Sequence, residues 1–384
     1  MDKRVLKYYT CSDESLDQAI LRVARGSKEV SDRIFARELI PASPFFMNGG
    51  AVASDTGILL SDDALDISLS VAIDAHKKGS GCGFSFSFLS SPVEVLSRFD
   101  TALSTVLQAG KRSGANMALL SFDHPDVLSF IQTPVKTFNK SIVFPSDHME
   151  SLLQGGSCPS FDAVVSQAHA RGDCGIIFLD RYNTPLTSSC AQHGLEDGDQ
   201  VAYAHVNLAA CFQQGSFQTE LFVQTIDAAA KVLSVHEGKR AIGLLGFMTL
   251  LERAGFSYAS DECFNLIHSF MPLFRDRCSF HGCSSSLPPT ALTSCFAGVS
   301  PSIEPFHSLD DIELSFTIPW QDQLAVVASF QQYLSQSISK TVNLPTATSV
   351  STCKEIFLAS FRLGLKGMTL FRKNCWEEIT PKNL

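Results

Sequence analysis

The sequence predicts an α/β fold built on parallel strands, and three observations predict it. Short β-rich runs alternate with helix-patterned stretches along most of the chain, the order that parallel strands with helical crossovers require. Hydrophobic residues make up 45% and charged residues 18%, with 24 Gly and 16 Pro, a composition that builds a large core and excludes a disordered chain. The 384 residues hold no low-complexity linker, so one continuous domain suits them better than two.

Residues 14–40 carry helical spacing (Leu16, Ile20, Val23, then Val30, Ile34, Leu39) and stop at Pro41-Ala42-Ser43-Pro44, where two prolines forbid continuation. β-rich runs follow at 57–60, 83–89, 117–122, 142–144, 175–179 and 202–208, separated by helix-patterned stretches at 64–77, 93–109, 161–170 and 218–234. From 241 the pattern turns more helical, with 242–254, 261–271 and 321–337, then a strand-like 341–344 and a terminal helix plus strand over 353–371. The most apolar segment, 241–251, is shorter than the roughly 20 residues a bilayer crossing needs, so it reads as a buried helix.

Thirty Lys+Arg against 39 Asp+Glu gives a net charge of −9, and no basic cluster is denser than Arg372-Lys373. That balance excludes an electrostatic grip on nucleic acid while leaving room for a small anion held locally. Met1-Asp2-Lys3-Arg4 runs on without the apolar block of a signal peptide, so the expectation is a soluble cytoplasmic protein with no membrane partner. Twelve cysteines without Cys-x-x-Cys pairs fit reduced, mostly buried thiols. Glycine turns at Gly49-Gly50, Gly79-Ser80-Gly81-Cys82-Gly83 and Gly110-Lys111-Arg112-Ser113-Gly114 let backbone come close to a ligand or neighbour; the second precedes a strand and so is no dinucleotide fingerprint.

Several segments in order carry a family resemblance. Pro41-Ala42-Ser43-Pro44-Phe45-Phe46-Met47-Asn48-Gly49-Gly50 is similar to PASPTLMNAG, Lys78 to Ser87 to GGGTGFSFS, and Gly110 to Met117 with Asp123-His124-Pro125-Asp126 to GGTRRGANM and DHPDI. Gly175 to Arg181, Ile242 to Phe247, Ile303-Glu304-Pro305, Ser339 to Pro345 and Gly364 to Arg372 continue the series. Over residues 35–373 the chain resembles the catalytic subunit of ribonucleotide reductases, most of all the adenosylcobalamin-dependent class II type. The resemblance implies a ten-stranded α/β barrel of two parallel five-stranded halves with a central finger loop. It divides the chain into an N-terminal helical segment (1–40), a single barrel domain (41–373) and a C-terminal tail (374–384).

Cys190 falls on the family's finger-loop cysteine: it lies seventeen residues before Asn207, the spacing found between NPCGE and the following SINL strand. Sulfur tolerates an unpaired electron, and its S–H bond is close enough in strength to a ribose C–H bond for reversible hydrogen exchange, provided the site is dry and holds its substrate. The departures also matter. The family's flanking Asn falls on Ser188 and its Glu on Gln192, which can orient a hydroxyl but not take its proton. The two cysteines that supply reducing electrons align with Asp55 or Thr56 and with Val201, and Cys375 stands without a partner cysteine in the tail. The segment between Phe88 and Ser91 is shortened, and the chain begins close to the barrel, which together imply lost effector control.

The resemblance places substrate contacts at Ser43, Ser188 and Gln192, and at the hydroxyls of the phosphate turn, Thr290, Thr293 and Ser294, where the family glycine is Ala291. Cys82 and His205 stand at family Thr and Ser positions as candidate redox or acid–base helpers. Cys278, His281 and Cys283 lack a fourth ligand and the spacing of a zinc site, so no metal is expected. His124 and Asp126 read as loop-fixing residues. The implied cofactor is adenosylcobalamin, the implied partner a nucleotide or nucleoside-like molecule, and a homodimer a possible assembly. Three functions stay open: ribonucleotide reduction with an altered reductant, thiyl chemistry on another nucleoside-like or sugar substrate without dithiol oxidation, and a non-catalytic barrel that binds a nucleotide or cobalamin.

Overall fold

The computed structural model describes residues 6–11, 14–47 and 53–375; Met1-Asp2-Lys3-Arg4, the Asn48-Gly49-Gly50 turn and most of the 374–384 tail lie outside them. Eleven strands organise the fold: β1 (Leu39–Pro41), β2 (Asp55–Leu59), β3 (Gly81–Ser85), β4 (Asn116–Ser121), β5 (Phe138–Val143), β6 (Gly175–Ile177), β7 (Gln200–Asn207), β8 (Lys239–Leu245), β9 (Ser284–Ser285), β10 (Thr341–Leu344) and β11 (Gly367–Arg372). Strands β2 to β6 pair in parallel, each with the next. Strands β7, β8 and β9 form a second parallel run, and β10 pairs in parallel with β11. The runs meet antiparallel at two seams, Asp55 opposite Val201 and Gly367 opposite Ile177. A single parallel bridge, Leu287 with Ile338, ties the end of β9 to the start of β10, so two five-stranded halves run round one ring. β1 lies antiparallel on the edge of β7.

Side chains alternate across each strand, and the two faces find different partners. On β3, Cys82 and Phe84 join the main core under the surrounding helices, and so do Ala202, Ala204 and Val206 of β7. The opposite set, Val201 and Tyr203 of β7 with Met117 and Leu119 of β4, packs inside the ring. Strands buried on both faces read as continuous apolar runs, which explains the misreading of 241–251. That segment is not one helix: β8 ends at Leu245, Gly246 turns at φ +83°, and a helix begins at Phe247. A Cβ at position 246 would fall 2.6 Å from Asn207 Oδ1, so only glycine fits the turn.

The 14–40 stretch also divides. Helix Leu16–Ala24 ends at Arg25 in the left-handed region, a second helix spans Lys28–Phe35, and β1 follows where helical spacing pointed to more helix. The pattern at 93–109 ends at Leu103 and gives way to a small hairpin of Leu107–Gln108 with Arg112–Ser113; that at 261–271 continues to Phe280. Among the described residues no helix is long and apolar enough to cross a membrane.

One buried charge on the outer face of the ring is fully partnered. Lys140 Nζ of β5 donates to the carbonyls of Ile131 and Thr133 at 2.6 Å and Phe130 at 3.3 Å, at the end of helix Val127–Gln132, and lies 3.1 Å from Asp173. Lys140→Met should cost about 3 kcal/mol, because the helix-end carbonyls and a carboxylate lose their donor together. Urea unfolding checks this, with a lower midpoint at an unchanged slope expected.

Candidate active site

A hairpin enters the ring and carries the sequence-predicted cysteine at its tip. Leu186–Thr187 pairs antiparallel with Gly194–Leu195, and Leu186 and Leu195 bury themselves against Val201, Tyr203 and Ala241 on the inner wall. The six-residue tip is held internally: Ser188 N donates to His193 O at 2.8 Å, His193 N to Ser188 Oγ at 3.1 Å, and Ala191 adopts φ +61°. The wall is made of glycine where the hairpin touches it. A Cβ at Gly83 would sit 1.6 Å from Thr187 O, one at Gly57 2.5 Å from Glu196 O, and one at Gly81 2.7 Å from Ser189 Oγ and Asp55 Oδ1. The glycine turn before β3 thus serves close approach, but of the protein's own loop.

Cys190 is half-buried at the tip and lines two cavities, both partly open. One, of about 270 Å³, is walled by Met117, Asn139, Tyr182, Met368 and Thr369. The other, of about 530 Å³, is walled by Ser43, Asp55, Arg112, Tyr203, His205 and Thr290. Burial, and next the charge of Asp55, push the Cys190 thiol up to about 12, so at neutral pH it keeps its hydrogen. A protonated thiol is a poor nucleophile and a suitable hydrogen-atom donor.

Asp55 is buried at the start of β2 and accepts from Ser189 N at 3.0 Å and Gln192 Nε2 at 3.0 Å. Burial raises its carboxyl to about 6, against the downward pull of hydrogen bonds from Ser189, Gln192 and Tyr203. Gln192 Nε2 also donates to the Tyr203 hydroxyl at 2.9 Å, and among the described residues its Oε1 has no partner. His205 Nδ1 lies 3.1 Å from Ile40 O; since a carbonyl only accepts, Nδ1 carries the hydrogen and Nε2 is a free lone pair. Burial lowers His205 to about 4, so the ring is neutral.

The structure brings Cys190, Gln192, Ser43, Thr290, Thr293 and His205 to one cavity wall, and separates three other residues from it. Ser188 is fully buried, its hydroxyl turned into the hairpin as an acceptor for His193 N, so it shapes the tip and lines neither cavity. Ser294 bonds Thr290 Oγ1 at 2.9 Å and faces a different, outer cavity. Cys82 alternates to the helical face of β3 and cannot meet Cys190. Thr290 and Thr293 spend their hydroxyls locally, Thr290 accepting from Ser302 N at 2.7 Å and Thr293 donating to Thr290 O at 2.9 Å. Sequence reasoning did not single out Arg112, Tyr203 or Asp55 as site residues. Arg112, whose Nε donates to Gln108 Oε1 at 2.8 Å, is the cationic group the hairpin at 107–113 brings to the larger cavity together with Lys111. Outside the cavities, His124 Nε2 lies 3.0 Å from Leu89 O, and His281 Nε2 2.8 Å from Asp227.

The model of the family described as "Ribonucleotide reductase, barrel domain" matches residues 68–187 and 307–371. Over these spans the chain is similar to the ribonucleotide reductase barrel. Vitamin B12-dependent ribonucleoside-diphosphate reductase of Mycobacterium tuberculosis (strain CDC 1551 / Oshkosh) is 23% identical over 488 residues, spanning 87% of this chain and 70% of the relative. The protein of the same name from Thermoplasma acidophilum is 24% identical, over 85% of this chain and 56% of the relative. A solved class Id ribonucleotide reductase alpha subunit from Actinobacillus ureae superposes with a TM-score of 0.77 at 14% identity, covering 96% of each chain.

The first matched span stops at Thr187, three residues short of Cys190. Asp55 and Val201, two of the positions that the resemblance sets against a reducing cysteine pair, are neighbours. Asp55 and Val201 are directly paired across the β2–β7 seam, beneath the fingertip. Thr56, the alternative position, points to the other face and bonds Ser80 Oγ at 3.0 Å.

Proposed function

We propose that this chain is an adenosylcobalamin-dependent radical enzyme of the ribonucleotide reductase type, in which Cys190 exchanges a hydrogen atom with a nucleotide. The observation that carries the reading is a cysteine at the tip of a hairpin, lining two separate cavities, where burial favours the protonated thiol. Met117, Asn139, Tyr182, Met368 and Thr369 of the smaller cavity would be the residues that hold the nucleoside part of the cofactor. When bound, adenosylcobalamin supplies an organic radical able to take a thiol hydrogen. The chain's own groups do the rest. The hairpin fixes sulfur at the shared wall of the cavities, and Arg112 offers charge to an anionic ligand in the larger cavity. The lone pair of His205 and the carbonyl of Gln192 offer acceptors for ligand hydroxyls.

A second reading, thiyl chemistry on a nucleoside-like or sugar substrate without net reduction, is favoured by the seam itself. Asp55 and Val201 cannot form a disulfide. The expected result is therefore that pre-reduced protein with adenosylcobalamin and cytidine diphosphate, and no added reductant, forms well under one equivalent of deoxynucleotide per chain. Added formate or dithiol then decides between the two readings. Deoxynucleotide with either supports reduction; product from neither, across a ribonucleotide panel, defeats it.

A further inference from the structure

The geometry points to Asp55 as the catalytic proton acceptor of the Cys190 cavity, the group that takes a hydroxyl proton from the bound ligand. It rests on the reading of Cys190 as a hydrogen-atom carrier. Asp55 lines the same cavity as Cys190, its backbone is the wall beneath the fingertip, and Ser189 N and Gln192 Nε2 fix its two oxygens at 3.0 Å each. None of its hydrogen-bond donors is cationic, so its proton affinity is not cancelled by an ion pair. Two further buried polar atoms on the wall, Gln192 Oε1 and His205 Nε2, have no partner among the described residues, which marks this side of the cavity as built for a polar ligand. Gln192 takes no proton, and His205 is neutral with a low affinity for one, which leaves Asp55.

The step balances within the site. A thiyl at Cys190 takes hydrogen from a hydroxyl-bearing carbon, restoring S–H and leaving a carbon radical. Such a radical is a far stronger acid at its hydroxyl than the parent alcohol, and the Asp55 carboxylate accepts that proton, giving a carboxylic acid and a ketyl radical anion. No further oxidant is consumed. The groups that face Asp55 are Ser189, Cys190 and Gln192 of the fingertip, Tyr203 and His205 of β7, and Arg112 of the 107–113 hairpin, with Cys82 close by on the opposite face of β3. Its carboxyl, raised to about 6, is an acceptor matched to neutral pH.

Two measurements test this, one without turnover. A carboxyl that titrates near 6 in the folded chain and near 4 unfolded weakens folding as pH rises through that window. Melting temperatures of the wild type and Asp55→Asn should diverge by several degrees between pH 4 and pH 7.5, in favour of Asp55→Asn as pH rises. A difference that stays constant with pH overturns the assignment. The second measurement is release of tritium from ribose-labelled cytidine diphosphate with adenosylcobalamin. Asp55→Asn should lose roughly 100-fold or more while keeping the cob(II)alamin electron paramagnetic resonance signal, and Asp55→Glu should recover part of the rate with a shifted pH limb. Release within about threefold of wild type, or the same acidic limb in Asp55→Asn, overturns it. If the wild type itself gives no radical signal, the radical reading fails, and pH-dependent melting still supports Asp55 as a proton-holding group.

Discussion

Cys190→Ser should abolish the radical signal and lower substrate turnover by about 10⁴-fold or more, the scale seen when the reacting group itself is removed. An alcohol O–H bond is too strong to yield its hydrogen to the radical that attacks a thiol, while the hydroxyl occupies the same place at the fingertip. Stability should change by no more than about 1 kcal/mol, since the residue is only half-buried and its sulfur accepts one long contact, from Ser189 Oγ at 3.8 Å. Two controls give the result its meaning. Cys82→Ser should leave the radical signal intact, because that thiol faces the helices. Alkylation of Cys190 by iodoacetamide at pH 7.5 should be slow, since the thiolate that reacts is scarce when burial holds the thiol near 12. Rapid alkylation would mean that the fingertip is wet and that the hydrogen-atom role lacks its physical setting.

What the chain discloses before folding is uneven, and the unevenness has causes. The parallel α/β architecture was legible because strand and helix patterns alternate, and Cys190 was legible because its distance to Asn207 survives intact. β9 was not, because two residues, Ser284 and Ser285, carry no periodicity, and their strand exists only through pairing with β8. Asp55 escaped for a related reason. Ser54-Asp55-Thr56-Gly57 has the composition of a turn, so the strand seemed to begin at residue 57, and only the seam with Val201 extends β2 back to Asp55. Arg112 sat inside a glycine-rich turn that was read for its backbone. The turn at 289–294 hides a different feature: the hydroxyls of Thr290, Thr293 and Ser294 bond one another's groups and the Ser302 amide. Sequence identifies which residue types are present, but whether a hydroxyl is spent on its neighbours is decided by packing.

Gly83→Ala should unfold the relation between loop and wall more than any other single methyl added to the inner face. The added carbon would lie 1.6 Å from the Thr187 carbonyl oxygen, and backbone has no rotamer with which to retreat. Either β3 or the hairpin must move by more than an ångström, at a cost of roughly 3 kcal/mol. Gly26→Ala calibrates the experiment: it carries a left-handed φ of +78° with nothing within 4 Å, so conformational strain acts there alone, about 1 kcal/mol. Gly57→Ala, 2.5 Å from Glu196 O, should fall between the two, and Gly81→Ala should cost less, because the nearest atoms are the side chains of Asp55 and Ser189. The effect on chemistry should exceed the effect on stability. Hydrogen exchange depends on sulfur standing within about an ångström of its productive position, so displacing the hairpin that presents Cys190 should cost a further 100-fold in turnover among molecules that remain folded. Should Gly83→Ala unfold at the wild-type urea midpoint and keep its radical signal, the hairpin would not be seated on β3, and the interior position of Cys190 would lose its structural basis.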